Sequence, residues 1–216
     1  WIGGLFFLIF LILLFSDKKF NYKMTNLTFS GDSNFKSEEN ISNSLLKIFI
    51  YYCFLSFLFL TLFNFSGVRL FNSLNLTMSL MSGGGFLPSD SLTEIISTNF
   101  QKMVIIFCLL LSLLNFYLVF NILNKKILIK EHKEDLYLTL LAIVLIILIY
   151  FNDIDILSLI ISVLSSLANS GITILKADYN LSLYFLLITI VGGSLVSNTS
   201  GIKLSRFYIL IKITSS

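Results

Sequence analysis

Two short glycine turns contain the residues best suited to bind a cation. The first glycine turn (residues 82–85) holds Ser82, Gly84 and Gly85, and the second (residues 168–171) holds Ser170 and Gly171. Glycine allows left-handed backbone conformations, so consecutive carbonyl oxygens can line a pore. Such oxygens can replace the hydration shell of a monovalent cation without a formal charge being buried. We interpret these five residues as a candidate ion filter, in which the two serines either add oxygens or satisfy the backbone.

A longer polar segment, VGGSLVSNTSGIK (residues 191–203), interrupts an apolar stretch that runs from Leu181 to Ile213. Backbone that is not helical is tolerated at membrane depth only where it is buried in protein or lines water. We therefore predict a broken helix that faces a wet pathway. Lys203 would either face the pore and repel cations or extend to the cytoplasmic surface. The candidate residues of this polar segment are Gly192, Gly193, Ser194, Ser197, Asn198, Thr199, Ser200, Gly201 and Lys203.

The composition indicates an integral membrane protein, because 56% of the residues are hydrophobic, 12% are charged and the mean hydropathy is +0.90. Membrane spans need about 20 apolar residues each. The fold class predicted is an all-α polytopic membrane protein, with polar loops at 17–47 and 125–135. The predicted crossings are Ile2–Phe15, which is short, Ile48–Phe65, Val104–Leu123, Leu136–Phe151 and the interrupted Leu181–Ile213.

Two further apolar stretches, Leu70–Met81 and Ile154–Leu167, are too short to cross a bilayer and end at the glycine turns. They are either re-entrant segments or amphipathic surface helices. An offset of about 86 residues aligns the two glycine turns and the elements around them, which favours repeated units packed about a shared axis. The predicted division is the end of repeat 1 (1–16), repeat 2 (48–124) and repeat 3 (136–216), separated by the two loops.

The charge distribution predicts the orientation. If the crossings alternate and the short stretches return on the side they entered, Arg69, Lys102 and Lys176 are the only basic residues on one side. The side with the other basic residues is then cytoplasmic. Asp90 and Asp178 follow the glycine turns and either concentrate cations at an outer mouth or are simply solvated. No carboxylate lies within the spans, so a proton relay built on carboxylates is not supported.

Four motifs in order resemble Trk-type potassium uptake proteins, specifically their pore-forming membrane subunit. They are WIGGL (1–5), GGGFLPSD (83–90), NSGITILKADY (169–179) and GGSLVSNTSGIK (192–203). The resemblance implies helix–re-entrant loop–helix repeats around a pseudo-fourfold potassium pathway, of which this chain holds part. It also implies that the polar segment gates the pathway, that the protein is multi-pass in the bacterial inner membrane, and that it forms a homodimer. The expected partners are potassium, lipid and a cytoplasmic nucleotide-binding regulatory subunit.

The resemblance further implies that the protein is not an enzyme, has no cofactor, binds no metal beyond potassium as the transported ion, and binds no nucleic acid. The chain departs from the family pattern at Asn169, Ser170 and Ile172 in the second glycine turn, and at Val196 and Ser200 in the polar segment. Potassium versus sodium selectivity, and channel-like passage versus symport, are left open. The alternatives are a transporter of another monovalent cation with this fold, or a subunit of a multi-span membrane enzyme complex.

Overall fold

The computed structural model describes residues 1–16, 41–114, 133–150, 155–174, 179–194 and 197–214. Within these residues the chain is mostly helical, as predicted for an all-α fold. The elements in order are α1 (Ile2–Ser16), α2 (Ile41–Phe65), α3 (Leu70–Ser82), α4 (Leu92–Ile95), α5 (Asn99–Leu113), α6 (Lys133–Ile149), α7 (Ile156–Ala168), α8 (Tyr179–Ile188), β1 (Val191–Gly192), β2 (Ile202–Lys203) and α9 (Leu204–Thr214).

Several helices begin earlier than the apolar runs that predicted them. Helix α2 starts at Ile41 rather than Ile48, and α6 starts at Lys133, so the ends of both predicted polar loops are helical. Polar residues are tolerated in a first helical turn that lies outside the apolar core of a membrane. Acidic residues stabilise such a turn, because the helix N-terminus carries partial positive charge. The first turn of α6 contains Glu134 and Asp135. Helix α5 likewise starts at Asn99, ahead of the predicted Val104, and the part of that span beyond residue 114 lies outside the described residues.

Helices α3 and α7 are the two short segments predicted to be re-entrant, and each has 13 residues. A helix of this length extends about 20 Å, against about 30 Å for the apolar core of a bilayer. In α7 every residue from Ile161 to Ala168 is buried. This burial contradicts the interpretation of α7 as a surface helix, whereas α3 buries one face, with Leu76, Leu80 and Met81. We call α3 and α7 the re-entrant helices.

The flanking helices expose apolar side chains on the outside of the molecule. Phe6 in α1, Phe57 in α2, Leu148 in α6 and Leu186 in α8 are each more than 60% exposed. Helix α2 includes an 18-residue stretch, Ile48–Phe65, that is long and apolar enough to cross a membrane. Apolar flanking helices around two buried short helices match the arrangement expected when the surrounding solvent is lipid.

Side-chain hydrogen bonds fix how the flanking helices meet the re-entrant helices. Thr98 and Gln101 form a capping box at the start of α5, with Gln101 N donating to Thr98 Oγ1 at 3.3 Å. The Gln101 side chain also donates to the Ser66 carbonyl at 3.1 Å, which ties α5 to the turn between α2 and α3. Helix α4, which the sequence did not predict, lies between the first glycine turn and α5.

The predicted interruption of the last helix is present. Helix α8 ends at Ile188 and α9 begins at Leu204. Between them, β1 and β2 form a short parallel pair in which Val191 is opposite Ile202 and Gly192 is opposite Lys203. This pair was not predicted. It joins the two ends of the polar segment.

Candidate cation pathway and its polar segment

The two re-entrant helices end with the same backbone geometry. Gly83 follows α3 with φ 64° and Asn169 follows α7 with φ 52°, so both are left-handed helix caps. The next residue in each case closes the end in the same way, since Gly84 N donates to Ser79 O at 2.9 Å and Ser170 N donates to Ser165 O at 3.0 Å. The repeat predicted from a shared pattern therefore extends to individual hydrogen bonds.

The two glycine turns meet each other. Gly85 and Gly171 both have left-handed backbone, with φ 69° and 67°. A Cβ atom built on Gly85 would overlap the Ser170 carbonyl oxygen and lie 3.6 Å from the Gly171 Cα. A side chain at Gly85 would therefore collide with the other repeat, whereas a Cβ on Gly171 would be 3.9 Å from the Gly85 Cα. The fold thus brings together the carbonyl-bearing backbone of two segments that are far apart in sequence.

The serine hydroxyls of the glycine turns bond within their own repeats. Ser82 Oγ donates to the Met78 carbonyl at 2.7 Å, and Ser170 Oγ lies 2.9 Å from Ser165 Oγ. Two roles were considered for these serines, and both serines are seen in the second one, in which the hydroxyl satisfies a polar group at the end of a re-entrant helix. The backbone carbonyls are consequently the better candidates for ion contact, and the partial negative charge of the two helix C-termini lies beside them.

Within the polar segment, Lys203 is tied to the loop that precedes it. Its Nζ lies 3.2 Å from the Ser197 carbonyl, 3.2 Å from Ser197 Oγ, 2.6 Å from the Thr199 carbonyl and 3.0 Å from Thr199 Oγ1. The Lys203 residue is only 7% exposed. Lys203 therefore does not extend to the cytoplasmic surface, and its ammonium does not face an open pore. It binds the loop from inside, in a cage of four oxygens.

Further hydrogen bonds close the loop. Gly193 N donates to Thr199 Oγ1 at 2.9 Å, and Ser197 Oγ lies 2.7 Å from the same hydroxyl. Close packing at the base requires glycine, because a Cβ on Gly192 would overlap the Ser200 carbonyl oxygen and one on Gly201 would lie 2.9 Å from Asn169 Nδ2. Ser200 itself is exposed. The predicted residues of the polar segment thus form one hydrogen-bonded unit.

The polar segment touches both glycine turns. Asn198 Nδ2 donates to the Met81 carbonyl at 2.5 Å, and a Cβ on Gly83 would lie 3.2 Å from the Asn198 carbonyl oxygen. On the other side, a Cβ on Gly201 would lie 2.9 Å from Asn169 Nδ2, which donates to the Thr189 carbonyl just after α8 at 3.0 Å. The segment therefore lies against the C-terminal ends of both re-entrant helices.

At the opposite ends of the re-entrant helices an ion pair joins the two repeats. Lys102 Nζ donates to Asp155 Oδ2 at 2.7 Å and to Ser158 Oγ at 3.1 Å. The hydrogen bonds that Lys102 and Ser158 donate to Asp155 Oδ2 hold the pKa of the Asp155 carboxyl below its ordinary value. Asp90, proposed as a mouth residue, is exposed. Asp178 and Val196 lie outside the described residues, so their predicted roles remain predictions.

Comparison with known proteins supports the fold. A scan of protein-family models finds no match to this sequence. The chain is 26% identical over 173 residues to an uncharacterized cation transporter of Methanocaldococcus jannaschii, an alignment that covers 78% of this chain and 35% of the relative. All of the chain superimposes on 47% of the crystal structure of the potassium transporter TrkH from Vibrio parahaemolyticus, with a TM-score of 0.78 and 17% identity.

The chain thus has the fold of part of a Trk-type transporter, and it spans less than half the length of either relative. The resemblance predicted from the four motifs is confirmed at the level of fold, as is the all-α membrane architecture. Because both relatives are transporters, the chain is that of a membrane protein. The Lys203 cage and the Asn198 contact were not predicted, although a lone lysine after a run of hydroxyl residues was a visible signal.

Proposed function

We propose that this chain forms part of a potassium uptake protein, in which the cation passes between backbone carbonyls of the glycine turns. The observation that carries the proposal is the direct contact of Gly85 with Ser170 and Gly171. Two left-handed glycines from equivalent positions in two repeats meet where two helix C-termini end. This arrangement offers oxygens and partial negative charge to a monovalent cation without a buried carboxylate.

In this proposal the polar segment is the gate, and the described conformation is closed. Three features support this role: the parallel pair at its base, the buried ammonium of Lys203 within it, and its position against the ends of α3 and α7. A positive charge held just inside a cation filter would oppose entry by Coulomb repulsion. Transport would then require the polar segment to move. Lys203 would move with the segment, because it is bonded to Ser197 and Thr199.

The remaining features of the proposal concern the complete protein. We propose a multi-pass protein of the bacterial inner membrane with its basic loops in the cytoplasm. In this orientation Arg69, Lys102 and Lys176 are the only basic residues on the outer side. Further repeats would complete the pseudo-fourfold pathway around the two described glycine turns. A homodimer that binds a cytoplasmic nucleotide-binding subunit is the assembly implied by the Trk-type resemblance.

The test is uptake of radioactive rubidium by the complete gene product, expressed in a bacterium that lacks its own potassium uptake systems. We expect uptake above the empty-vector level, competition by potassium, and much weaker competition by sodium. Gly85→Asp is expected to abolish uptake, because a side chain at this position meets the backbone of the other repeat. The matched control is Gly67→Asp, since Gly67 has φ 84° and no described atom lies within 4 Å of its Cβ position.

Three results would contradict this proposal. Uptake at the vector level in cells where the protein is present in the membrane would refute cation transport. Equal competition by sodium would refute potassium selectivity and favour a transporter of another monovalent cation with the same fold. Normal uptake by Gly85→Asp would refute the role of the first glycine turn as a filter.

A further inference from the structure

We propose that Asn198 is the positioning residue of the gate: its side-chain amide docks the polar segment of the third repeat on the free carbonyl end of α3 in the second repeat. The closed position of the gate then depends on the conformation of the helix end that carries the first glycine turn. This inference rests on the proposed function, and it adds a specific link between the gate and the filter.

The Met81 carbonyl belongs to the last turn of α3, where carbonyl groups have no partner within their own helix. Asn198 Nδ2 donates to this oxygen at 2.5 Å, and the Tyr52 hydroxyl lies 3.4 Å from it. Both Asn198 and Met81 are buried. Loss of the shorter of these two hydrogen bonds from a buried carbonyl is unfavourable, so the bond favours the position of the polar segment in which Asn198 reaches Met81.

A second hydrogen bond, from the backbone, also joins the polar segment to the second repeat. Ser194 N donates to the carbonyl of Leu113, the last residue of α5, at 3.2 Å. The polar segment therefore places two N–H donors on carbonyl groups at the C-terminal ends of two helices of one neighbouring repeat. The backbone contact of Ser194 survives any side-chain substitution, which leaves Asn198 as the contact that mutation can remove.

Asn198 can act on the whole segment because the segment is internally cross-linked. Lys203 binds both Ser197 and Thr199, the residues on either side of Asn198. The two neighbours of Asn198 are thus held to one ammonium group, so displacement of Asn198 displaces the loop around it. Lys203 determines the shape of the loop, whereas Asn198 determines where the loop lies.

The site of contact is crowded enough to be disturbed from another helix. A Cβ on Gly4 of α1 would lie 2.9 Å from the Tyr52 hydroxyl, 3.0 Å from Asn198 Nδ2 and 3.0 Å from the Ser82 Cα. Gly3, one residue earlier on the same helix, has no described atom within 4 Å of its Cβ position. Gly4→Ala and Gly3→Ala are therefore a matched pair, in which only the first crowds Asn198, together with Tyr52 and Ser82, and neither changes the polar segment.

The experiment measures how fast a buried thiol on the polar segment reacts with a charged methanethiosulfonate reagent in the purified complete protein. The reporter is Ser194→Cys, with Cys53 and Cys108 replaced by alanine together with any further native cysteine. Ser194 is fully buried, and its hydroxyl has no hydrogen-bond partner among the described residues, so the replacement removes no described contact. Reaction then requires the segment to leave its closed position.

We expect Asn198→Ala to raise the labelling rate about three- to tenfold, the population shift that corresponds to the loss of one hydrogen bond. Asn198→Asp is expected to raise the rate further, because a carboxylate would face the Met81 carbonyl. Gly4→Ala should also raise it, while Gly3→Ala should not. Rubidium uptake should increase in the same order, an effect that a merely damaged protein does not produce.

Labelling rates of Asn198→Ala and Gly4→Ala within twofold of the parent would overturn the inference. If Asn198→Ala does not give a folded protein, Asn198→Asp against Gly3→Ala decides in its place, since the first changes only the side chain that reaches Met81. The failure of the proposed function is a separate result: a parent protein that moves no rubidium refutes transport, whereas the labelling rates still report whether Asn198 holds the segment.

Discussion

Replacing Gly85 by alanine tests the contact between the glycine turns most directly. The substitution adds one methyl group at a residue with φ 69°, where it would overlap the Ser170 carbonyl oxygen. A left-handed conformation costs an L-residue about 1–2 kcal/mol. Overpacking at a site that cannot relax costs about 1–3 kcal/mol more. Together these terms give a destabilisation of about 2–5 kcal/mol, or a displacement of the two turns that removes part of it.

Gly67→Ala separates the two terms. Gly67 has φ 84° in the turn after α2, and no described atom lies within 4 Å of its Cβ position. This variant therefore incurs the backbone cost of about 1–2 kcal/mol without the collision. Gly171→Ala should resemble Gly67→Ala, because the Gly85 Cα at 3.9 Å is at an ordinary contact distance. The structure thus predicts an asymmetry between two glycines that occupy equivalent positions in the repeats.

The assay is thermal unfolding of the purified complete protein in one detergent, measured together with rubidium uptake. We expect Gly85→Ala to lower the unfolding temperature the most and to lose most uptake, whereas Gly67→Ala keeps its uptake. Equal unfolding temperatures for Gly85→Ala and Gly67→Ala, with uptake retained in both, would show that the glycine turns do not touch as described.

Three further predictions follow from the polar segment and the outer ion pair. Lys203→Gln leaves carbonyls of the oxygen cage without a donor, which costs about 1–3 kcal/mol; hydrogen exchange at the Gly193 amide should quicken, and unchanged exchange would contradict the cage. Gly192→Ala should separate β1 from β2, because its Cβ would overlap the carbonyl oxygen of Ser200, just before β2; rubidium uptake equal to that of the parent would argue against the closed base. Since the pKa of Asp155 is lowered, its contribution is complete above its ordinary value of 3.8 and is lost as the pH falls through the lowered pKa. Lys102→Met should reduce this pH dependence, since Ser158 still donates to the carboxylate, and should cost only about 0–1 kcal/mol because Asp155 is 58% exposed; an acid unfolding profile identical to that of the parent would contradict it.

The fold was largely predictable because its signals are local. Hydropathy located the apolar runs, and the lengths of Leu70–Met81 and Ile154–Leu167 marked them as too short to cross a bilayer. The helix starts were less well predicted, since the first turns of α2 and α6 use polar residues that belong equally well to a loop. The β1–β2 pair has two residues per strand, too few for any alternation in the sequence to reveal it.

The candidate site was predictable in its residues and only partly in its contacts. Gly85 and Gly171 were recognisable because a glycine that follows a short apolar run is typical of the turn that ends a helix. The direction of a side chain was harder to predict, as Lys203 illustrates. A long cationic side chain can reach water or turn inward with equal ease along its own backbone, and the positions of Ser197 and Thr199 decided the outcome.

The amino-acid sequence alone indicates a lipid environment, because composition reports it directly. It also indicates the positions of the turns and the repetition of the units, because glycine acts on the backbone where it occurs. Only the tertiary structure decided that Gly85 meets Ser170, that Lys203 is caged by its own loop and that Asn198 reaches Met81. The two ends of that last hydrogen bond are separated by 117 residues. Their meeting depends on how α5 packs against both α3 and α7, and no local pattern in the chain specifies that geometry.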